Sequence, residues 1–250
     1  MTACDCWWDE PPANVILSQD DVHVWYASLD QPASSFRWLA RTLNADERER
    51  SKRFYFKQDR VRFIVGRGLL RTILGHYLSI EPGELQFCYS SRGKPSLAET
   101  FRGSRIRFNL AHSYGFALYA VTLDREIGVD LEYVKPIAEA TRIVNRFFSD
   151  QEKAAFDTFT SYEKPEAFFR YWTCKEAYLK ACGEGLTHPL DQIDVSLVPG
   201  EAARLLSLKG DLQEVSRWFL QELRPAAGLV GALVVEGAEA RLACWEVPSV

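Results

Sequence analysis

At 250 residues and 47% hydrophobic content, the chain can bury one large core or two of about 120 residues each. A net charge of −4 argues against a nucleic-acid binder that relies on a broad basic surface. It has no apolar run of the roughly 18 residues that a membrane helix needs. Asp5, Asp9 and Glu10 around Trp7 and Trp8 give the first residues neither the basic nor the apolar region of a secretion signal, so a cytoplasmic protein with no nucleic-acid or membrane partner is expected.

Val22 to Tyr26 reads as the first apolar strand. Asn44 is placed to cap a helix whose third residue is Glu47, a variant of the capping box. Phe54, Phe56, Val61, Phe63, Ile64, Leu69, Leu70, Ile73 and Leu74 then recur at three- and four-residue steps, a core-facing helical stripe interrupted near Lys57-Gln58-Asp59. Pro82-Gly83 ends the helical part, and Leu85 to Tyr89 reads as a strand. Ile106, Phe108 and Leu110 alternate along another strand, His112 to Gly115 form a turn, and Phe116 to Val121 make a buried strand. Val129 to Tyr133 is the next strand, and helices are predicted over 138–147, 150–159 and 165–182. Ser149, Asp150 and Gln151 mark a helix start, while Gly183 and Gly185 mark the last helix's end. Strands at 193–197, 218–223, 229–235 and 242–247 close the chain. Each half thus combines a long helix with a small antiparallel sheet. With no low-complexity linker, the halves are expected to pack closely around a ligand cleft.

Six scattered cysteines (Cys4, Cys6, Cys88, Cys174, Cys182, Cys244) form no C-x-x-C pair, so free thiols are expected rather than a zinc ribbon or a disulfide framework. Cys174 has no histidine near it in sequence and is not expected to act as a nucleophile.

The chemistry concentrates in two segments. On the predicted helix, Trp172, Glu176 and Lys180 fall at i, i+4 and i+8, so one stripe offers an aromatic wall, a carboxylate and an ammonium. On the predicted strand, Asp130 and Glu132 share a face with Gly128, and the glycine leaves room for close approach. Glu176 and Lys180 also read as an ordinary helix ion pair, and Asp130 and Glu132 as a solvated strand face. Taken together, three carboxylates from two elements beside a lysine supply the hard oxygen ligands that a magnesium-bound diphosphate calls for.

Gly128-Val129-Asp130-Leu131-Glu132 and Trp172-Thr173-Cys174-Lys175-Glu176-Ala177-Tyr178-Leu179-Lys180 resemble the two signature motifs of the 4'-phosphopantetheinyl transferases, in particular the long, single-chain Sfp type. Gly66-Arg67-Gly68-Leu69-Leu70-Arg71, Gly93-Lys94-Pro95 and Phe108-Asn109-Leu110-Ala111-His112-Ser113 resemble further motifs of that family in its order. Gly185-Leu186, Pro189-Leu190 and Val195-Ser196-Leu197 resemble its lead into the last sheet, so the likeness runs over residues 45–198.

The resemblance implies an α+β fold of two similar halves related by a pseudo-twofold. Residues 1–122 would form the coenzyme A adenine and 3'-phosphate side, and residues 123–250 the metal and catalytic side. It implies transfer of the 4'-phosphopantetheine arm of coenzyme A to a serine of an acyl, peptidyl or polyketide carrier protein, with release of 3',5'-ADP, by a monomer. Asp130, Glu132 and Glu176 would hold Mg²⁺, with Mn²⁺ able to substitute, and Lys180 would contact the phosphates. The base would be Glu176 or a metal-polarised water. Arg50, Gly93, Lys94, Pro95, His112 and Ser113 would face coenzyme A. Position 47 is basic in some members but is Glu47 here, so that contact is either absent or replaced, with Lys52 or Arg53 as the candidates; Ala111 stands where some relatives have serine. Arg142, Arg146, Phe147 and Phe148 are candidates for docking an acidic carrier. Two other classes fit the same carboxylates: a metal-dependent phosphohydrolase acting on coenzyme A or a nucleotide, and a non-catalytic coenzyme A-binding protein.

Overall fold

The computed structural model describes residues 8–101, 103–183, 189–198, 201–208 and 210–248. The Gly185-Leu186 motif, Cys4 and Cys6 lie outside them. The first part of the chain runs β1 (Trp8–Asp9), β2 (Asp21–Ser28), α1 (Ala33–Thr42), α2 (Ala45–Lys52), α3 (Lys57–Leu78), β3 (Phe87–Tyr89), β4 (Pro95–Leu97), β5 (Ile106–Ser113) and β6 (Phe116–Leu123). The second runs β7 (Ile127–Tyr133), α4 (Ala140–Phe147), α5 (Asp150–Asp157), α6 (Lys164–Cys182), β8 (Ile193–Ser196), β9 (Arg204–Leu208), α7 (Leu212–Val215), β10 (Trp218–Leu223), β11 (Leu229–Glu236) and β12 (Arg241–Glu246).

Connectivity repeats between the two. In each, a leading strand is followed by helices and then a two-stranded ribbon, β3-β4 or β8-β9, and a hairpin completes a sheet whose order is β2-β6-β5 or β7-β11-β10. All pairings within these two three-strand sets are antiparallel. The pseudo-twofold α+β architecture therefore holds at the level of topology. One strand departs from it: β12 crosses back and pairs parallel with β2, and β1 pairs parallel with β12, so the first sheet has five strands and is mixed.

Strand alternation builds the layers. Trp25 and Ala27 of β2, with Leu29 just after it, pack with Val65, Leu69, Leu70 and Leu74 of α3. Val22, Val24 and Tyr26 point to the opposite side and meet Ile127, Val129 and Leu131 of β7 between the sheets. The remaining face of the second sheet, with Val230, Ala232 and Val234, packs against α6. A period of two thus sends Gly128, Asp130 and Glu132 to the α6 side of β7.

Gly128 sets how near α6 comes. A Cβ there would lie 2.0 Å from the Ala177 carbonyl oxygen and 2.3 Å from the Ala181 nitrogen, so the helix backbone rests directly on the strand. On another side of α6, the fully buried Lys175 ammonium meets the Glu152 carboxylate at 2.6 Å and donates to the carbonyls of Leu190 and Ile193, each at 2.8 Å. Glu152 also closes the capping box that starts α5 at Ser149 and accepts from Val195 N–H.

The Asn44–Glu47 capping box forms at the start of α2 as its spacing predicts. The helical region breaks at 53–56, just before Lys57 rather than at it. α3 ends at Leu78 with Ser79 in the left-handed region, ahead of Pro82. Helix α1, strand β9 and the return of β12 to the first sheet are absent from the sequence reading.

Beside β12, the buried His23 ring lies 4.4 Å from Trp245. Trp25 Nε1–H donates to the Tyr77 hydroxyl at 2.9 Å, and the same hydroxyl is hydrogen-bonded to His23 Nδ1 at 2.8 Å. Burial pushes the imidazole down to about 4, against a smaller opposing effect of Asp21.

Two stability outcomes follow from these contacts. Gly128→Ala must force α6 off β7 through backbone clashes, so a loss of at least about 3 kcal/mol is expected in chemical denaturation. Because the unfolded His23 takes up its proton near pH 6.5 and the folded one only near 4, its favourable contribution is complete above 6.5 and drains away as pH falls toward 4. His23→Phe should flatten that segment of the curve of Tm against pH; an unchanged slope would remove His23 as its source.

Candidate functional site

Close approach of α6 brings three carboxylates together with one lysine. Lys180 Nζ donates to Asp130 Oδ1 at 2.6 Å and to the Val129 carbonyl at 3.1 Å. Glu132 Oε2 accepts from the Ser113 hydroxyl at 2.8 Å, and Ser113 Oγ accepts from Tyr133 N–H. Asp130 Oδ2 and Glu176 Oε1 are buried and have no hydrogen-bond partner. Burial raises Asp130, with Lys180 opposing, and raises Glu132, with Ser113 opposing. Glu176 is pushed up to about 7 by burial and by the Asp130 charge, with Lys180 opposing and Glu132 adding to the rise. As the side chains stand, no three His, Cys, Asp or Glu among the described residues form a ready cation-binding group: Lys180 occupies one oxygen of Asp130, and Ser113 one of Glu132.

Beside the cluster opens a cavity of about 740 Å³, whose lining includes His112, Lys180, Asn109 and Gly183. Arg50, Arg62, Arg67, Arg92 and Lys94 line it too, against Asp59 as its one acidic lining residue among those described. A chain of net charge −4 therefore gathers its cations around one concavity, which favours a polyanionic ligand. Burial lowers His112, and the Lys180 charge adds to that.

The sequence-predicted residues divide between these two regions. Arg50, Gly93, Lys94, Pro95, His112 and Lys180 line the cavity. Asp130, Glu132 and Glu176 interact electrostatically with one another just beyond it. Ser113, expected on coenzyme A, instead holds the Glu132 carboxylate. Lys94 reaches the cavity, yet its ammonium donates to the carbonyls of Ile127 and Ala181 and pairs with Glu126 at 3.5 Å; burial lowers it despite Glu126. Trp172 packs on Phe147 and Phe168, as a core aromatic would. Cys174 is fully buried, and burial pushes its thiol up, as for a packing residue of the core. Of the proposed docking residues, Phe148 is fully buried among Phe156, Phe168 and Tyr171 and is a core residue. Arg146 stands over Phe147, and Arg142 is exposed beside Glu139.

Glu47 also has a different role from a missing contact. Its buried carboxylate pairs with Arg67 at 2.9 Å and with Arg71 at 2.7 Å, and Arg67 Nη2 donates to the Tyr89 hydroxyl at 2.5 Å. Arg67, not Lys52 or Arg53, is the cation that the Glu47 position delivers to the cavity wall. Arg67 lies within a recognised motif, but its partner is 20 residues away and on another helix, a pairing no local spacing signals.

Residues 126–234 match the 4'-phosphopantetheinyl transferase superfamily, and residues 26–123 match the N-terminal region of 4'-phosphopantetheinyl transferases. The chain belongs to the 4'-phosphopantetheinyl transferase family. It is 46% identical to the 4'-phosphopantetheinyl transferase HetI of Nostoc sp. over 92% of this chain and 94% of that one. With the 4'-phosphopantetheinyl transferase Sfp of Bacillus subtilis it shares 30% identity over 62% of this chain and 66% of the relative. Among solved structures, the holo-[acyl-carrier-protein] synthase of Thermotoga maritima aligns at 25% identity and a TM-score of 0.37, covering 46% of this chain and 64% of that one.

Replacing Glu47 by Gln leaves two buried guanidinium groups sharing no anion, so a loss of about 3–5 kcal/mol is expected. Glu49→Gln breaks only the exposed, solvent-screened pair with Lys52 and should leave the unfolding midpoint essentially where it is. Urea denaturation of the two variants side by side measures the difference.

Proposed function

We propose that this chain transfers the 4'-phosphopantetheine arm of coenzyme A to a serine hydroxyl of an apo carrier protein, with the nucleotide end of coenzyme A in the cation-walled cavity. The observation that carries the reading is the pair of buried, partnerless oxygens, Asp130 Oδ2 and Glu176 Oε1, beside Lys180 at the edge of that cavity. Buried carboxylate oxygens without donors are costly, and Glu176 is pushed toward neutrality by burial and by the Asp130 charge. A hard divalent cation relieves both, so the residues fit Mg²⁺, with Mn²⁺ as a substitute, and Asp130, Glu132 and Glu176 would hold it. When bound, that ion supplies charge neutralisation and Lewis-acid polarisation of the diphosphate.

The chain's own groups then divide the work. Lys180 is within reach of both the carboxylates and the cavity, and it would shift from Asp130 to a phosphate oxygen. Ser113 keeps Glu132 oriented. His112, Arg50 and Arg67 would meet the 3'-phosphate and diphosphate charges, while Gly93, Lys94 and Pro95 shape the wall beside the nucleotide. In the reaction the serine oxygen bonds to the phosphorus nearer the pantetheine, the bridging bond to the nucleotide phosphate breaks, and 3',5'-ADP leaves. The serine proton passes to Glu176 or to a water beside it.

On this reading residues 1–122 form the nucleotide side and residues 123–250 the carboxylate side, joined in one monomeric chain. No described helix is long and apolar enough to cross a membrane, and a cytoplasmic site of action is part of the proposal. The phosphohydrolase and the non-catalytic binding protein have no support among the relatives.

The test is intact-mass measurement of apo acyl and peptidyl carrier proteins incubated with this protein, coenzyme A and Mg²⁺, alongside an EDTA control and the Asp130→Asn variant. A gain of one phosphopantetheine group with wild type, lost in EDTA and in Asp130→Asn, is expected. Intact carriers with cleaved coenzyme A would replace the reading with hydrolysis; full transfer by Asp130→Asn would remove the assigned carboxylate set.

A further inference from the structure

The hairpin between β5 and β6 turns on Tyr114 and Gly115, with Ser113 paired to Phe116. Both turn residues have positive φ, +50° at Tyr114 and +90° at Gly115, a conformation that strains a bulky residue at the first position. Such strain persists only where the surroundings over-determine it, and here one side of the turn is firmly seated. Leu29 N–H donates to the Gly115 carbonyl at 2.7 Å. The missing side chain of Gly115 lets the turn rest on an ion pair: a Cβ there would come within 2.7 Å of Arg62 Nη2 and 3.0 Å of Asp30 Oδ2. The pair is a fork, with Arg62 Nε donating to Asp30 Oδ1 at 2.9 Å and Nη2 to Oδ2 at 2.7 Å.

What the fork supports is the end of β5. Ser113, the residue before the turn, donates its hydroxyl to Glu132 Oε2 at 2.8 Å and accepts from Tyr133 N–H at 3.2 Å. One serine therefore joins the turn to a carboxylate of the candidate site, while Arg62 and Asp30 join the same turn to α3 and to the chain just past β2. The side chains of Arg62 and Asp30 are 23% and 56% exposed, and an ion pair so open to water adds little to stability. Its bidentate shape fixes direction instead, and a carboxylate that is to hold a cation depends on the groups that orient it. Arg62 lines the cavity, whereas Asp30 lies outside the lining. Asp30 can therefore reach the site only through Arg62 and the turn.

We infer that Asp30 and Arg62 are positioning residues of the candidate site: they hold the β5–β6 turn so that Ser113 presents its hydroxyl to Glu132. This deepens the transferase reading and rests on its carboxylate set. Were Arg62 only a cation for the ligand's phosphates, Asp30 would oppose it by offsetting its charge, and removing that carboxylate would help coenzyme A to bind. A pair that acts by position has the opposite signature, because loss of either member loosens the turn and leaves the cavity's other cations in place.

Asp30→Asn, checked for an intact thermal melt, breaks the fork without altering a residue of the cavity lining. Expected are a fall of about three- to tenfold in kcat for transfer to apo carrier, an unchanged KM for coenzyme A, and about three- to tenfold weaker binding of Mn²⁺ alone, read from the electron paramagnetic resonance of the free ion. Arg62→Lys, which keeps the charge but cannot fork, should lower kcat and Mn²⁺ affinity in the same way. Because the effect passes through Ser113, Asp30→Asn should add nothing further in a Ser113→Ala background. Full additivity in that background overturns the assignment, as does wild-type Mn²⁺ affinity in Asp30→Asn. A lower KM for coenzyme A as the sole change in Asp30→Asn also overturns it and makes Arg62 a ligand-binding cation. Wild type that neither transfers to a carrier nor binds Mn²⁺ sinks the transferase reading itself; normal wild type with an indifferent Asp30→Asn sinks this inference alone.

Discussion

The site depends on the absence of one carbon atom. Because Gly128 has no Cβ, the backbone of α6 can lie on β7 at a distance no other residue permits. Asp130 and Glu132, two and four residues further along the strand face, then stand under Glu176 and Lys180, one helical turn apart. The same proximity makes the cluster electrostatically uncomfortable: burial and mutual repulsion hold Glu176 near 7, and one lysine offsets part of the charge. Two of the three carboxylates keep an oxygen without a donor, so this helix–strand contact holds more acid than its one lysine satisfies.

Two buried ionic networks hold the walls on either side. Lys175, adjacent in sequence to Glu176, points to a different side of α6 and ties α5, α6 and β8 together through Glu152 and backbone carbonyls. Glu47 does the corresponding work in the first half, where it closes the α2 capping box and collects Arg67 and Arg71 from α3. Burying charge is seldom a net source of stability. Its effect here is positional, since a satisfied ion pair admits one geometry where apolar packing admits several. The Arg67 guanidinium is further confined by Tyr89 and by the Phe87 ring, 5.0 Å away.

Periodicity was enough to expose the strands that build both sheets, the two capped helices and the α6 stripe, because these obey local rules of spacing and capping. The glycine on the carboxylate face announced a close approach, and the approach is there. What stayed hidden depends on distant partners. Nothing local tells β12 to leave the second sheet for a parallel pairing with β2, because an apolar strand of six residues suits either place. Glu47 read as a missing cation because its arginine partners sit on the next helix. Ser113 read as a ligand contact, but strand pairing aims its hydroxyl across the sheet junction at Glu132. Tyr114 carried a signal that could have been read: an aromatic immediately before glycine in a two-residue turn runs against turn chemistry.

Repeating one topology within a single chain permits what an identical pair could not, namely two unlike walls. In the first half the helices that follow the leading strand present arginines to the cavity; in the second, the equivalent long helix presents a glutamate and a lysine over acidic strand residues. The cavity thus has a wall rich in cations, with the carboxylates of the other half clustered just beyond it. The junction itself is stitched by side chains of β5, with Asn109 accepting from Val129 N–H and Ser113 from Tyr133 N–H. Those two bonds fix β5 against β7, so His112, on the cavity side of β5, and Asp130, on the α6 side of β7, keep a fixed separation. The relation between the cationic wall and the carboxylate cluster is thereby set by backbone register.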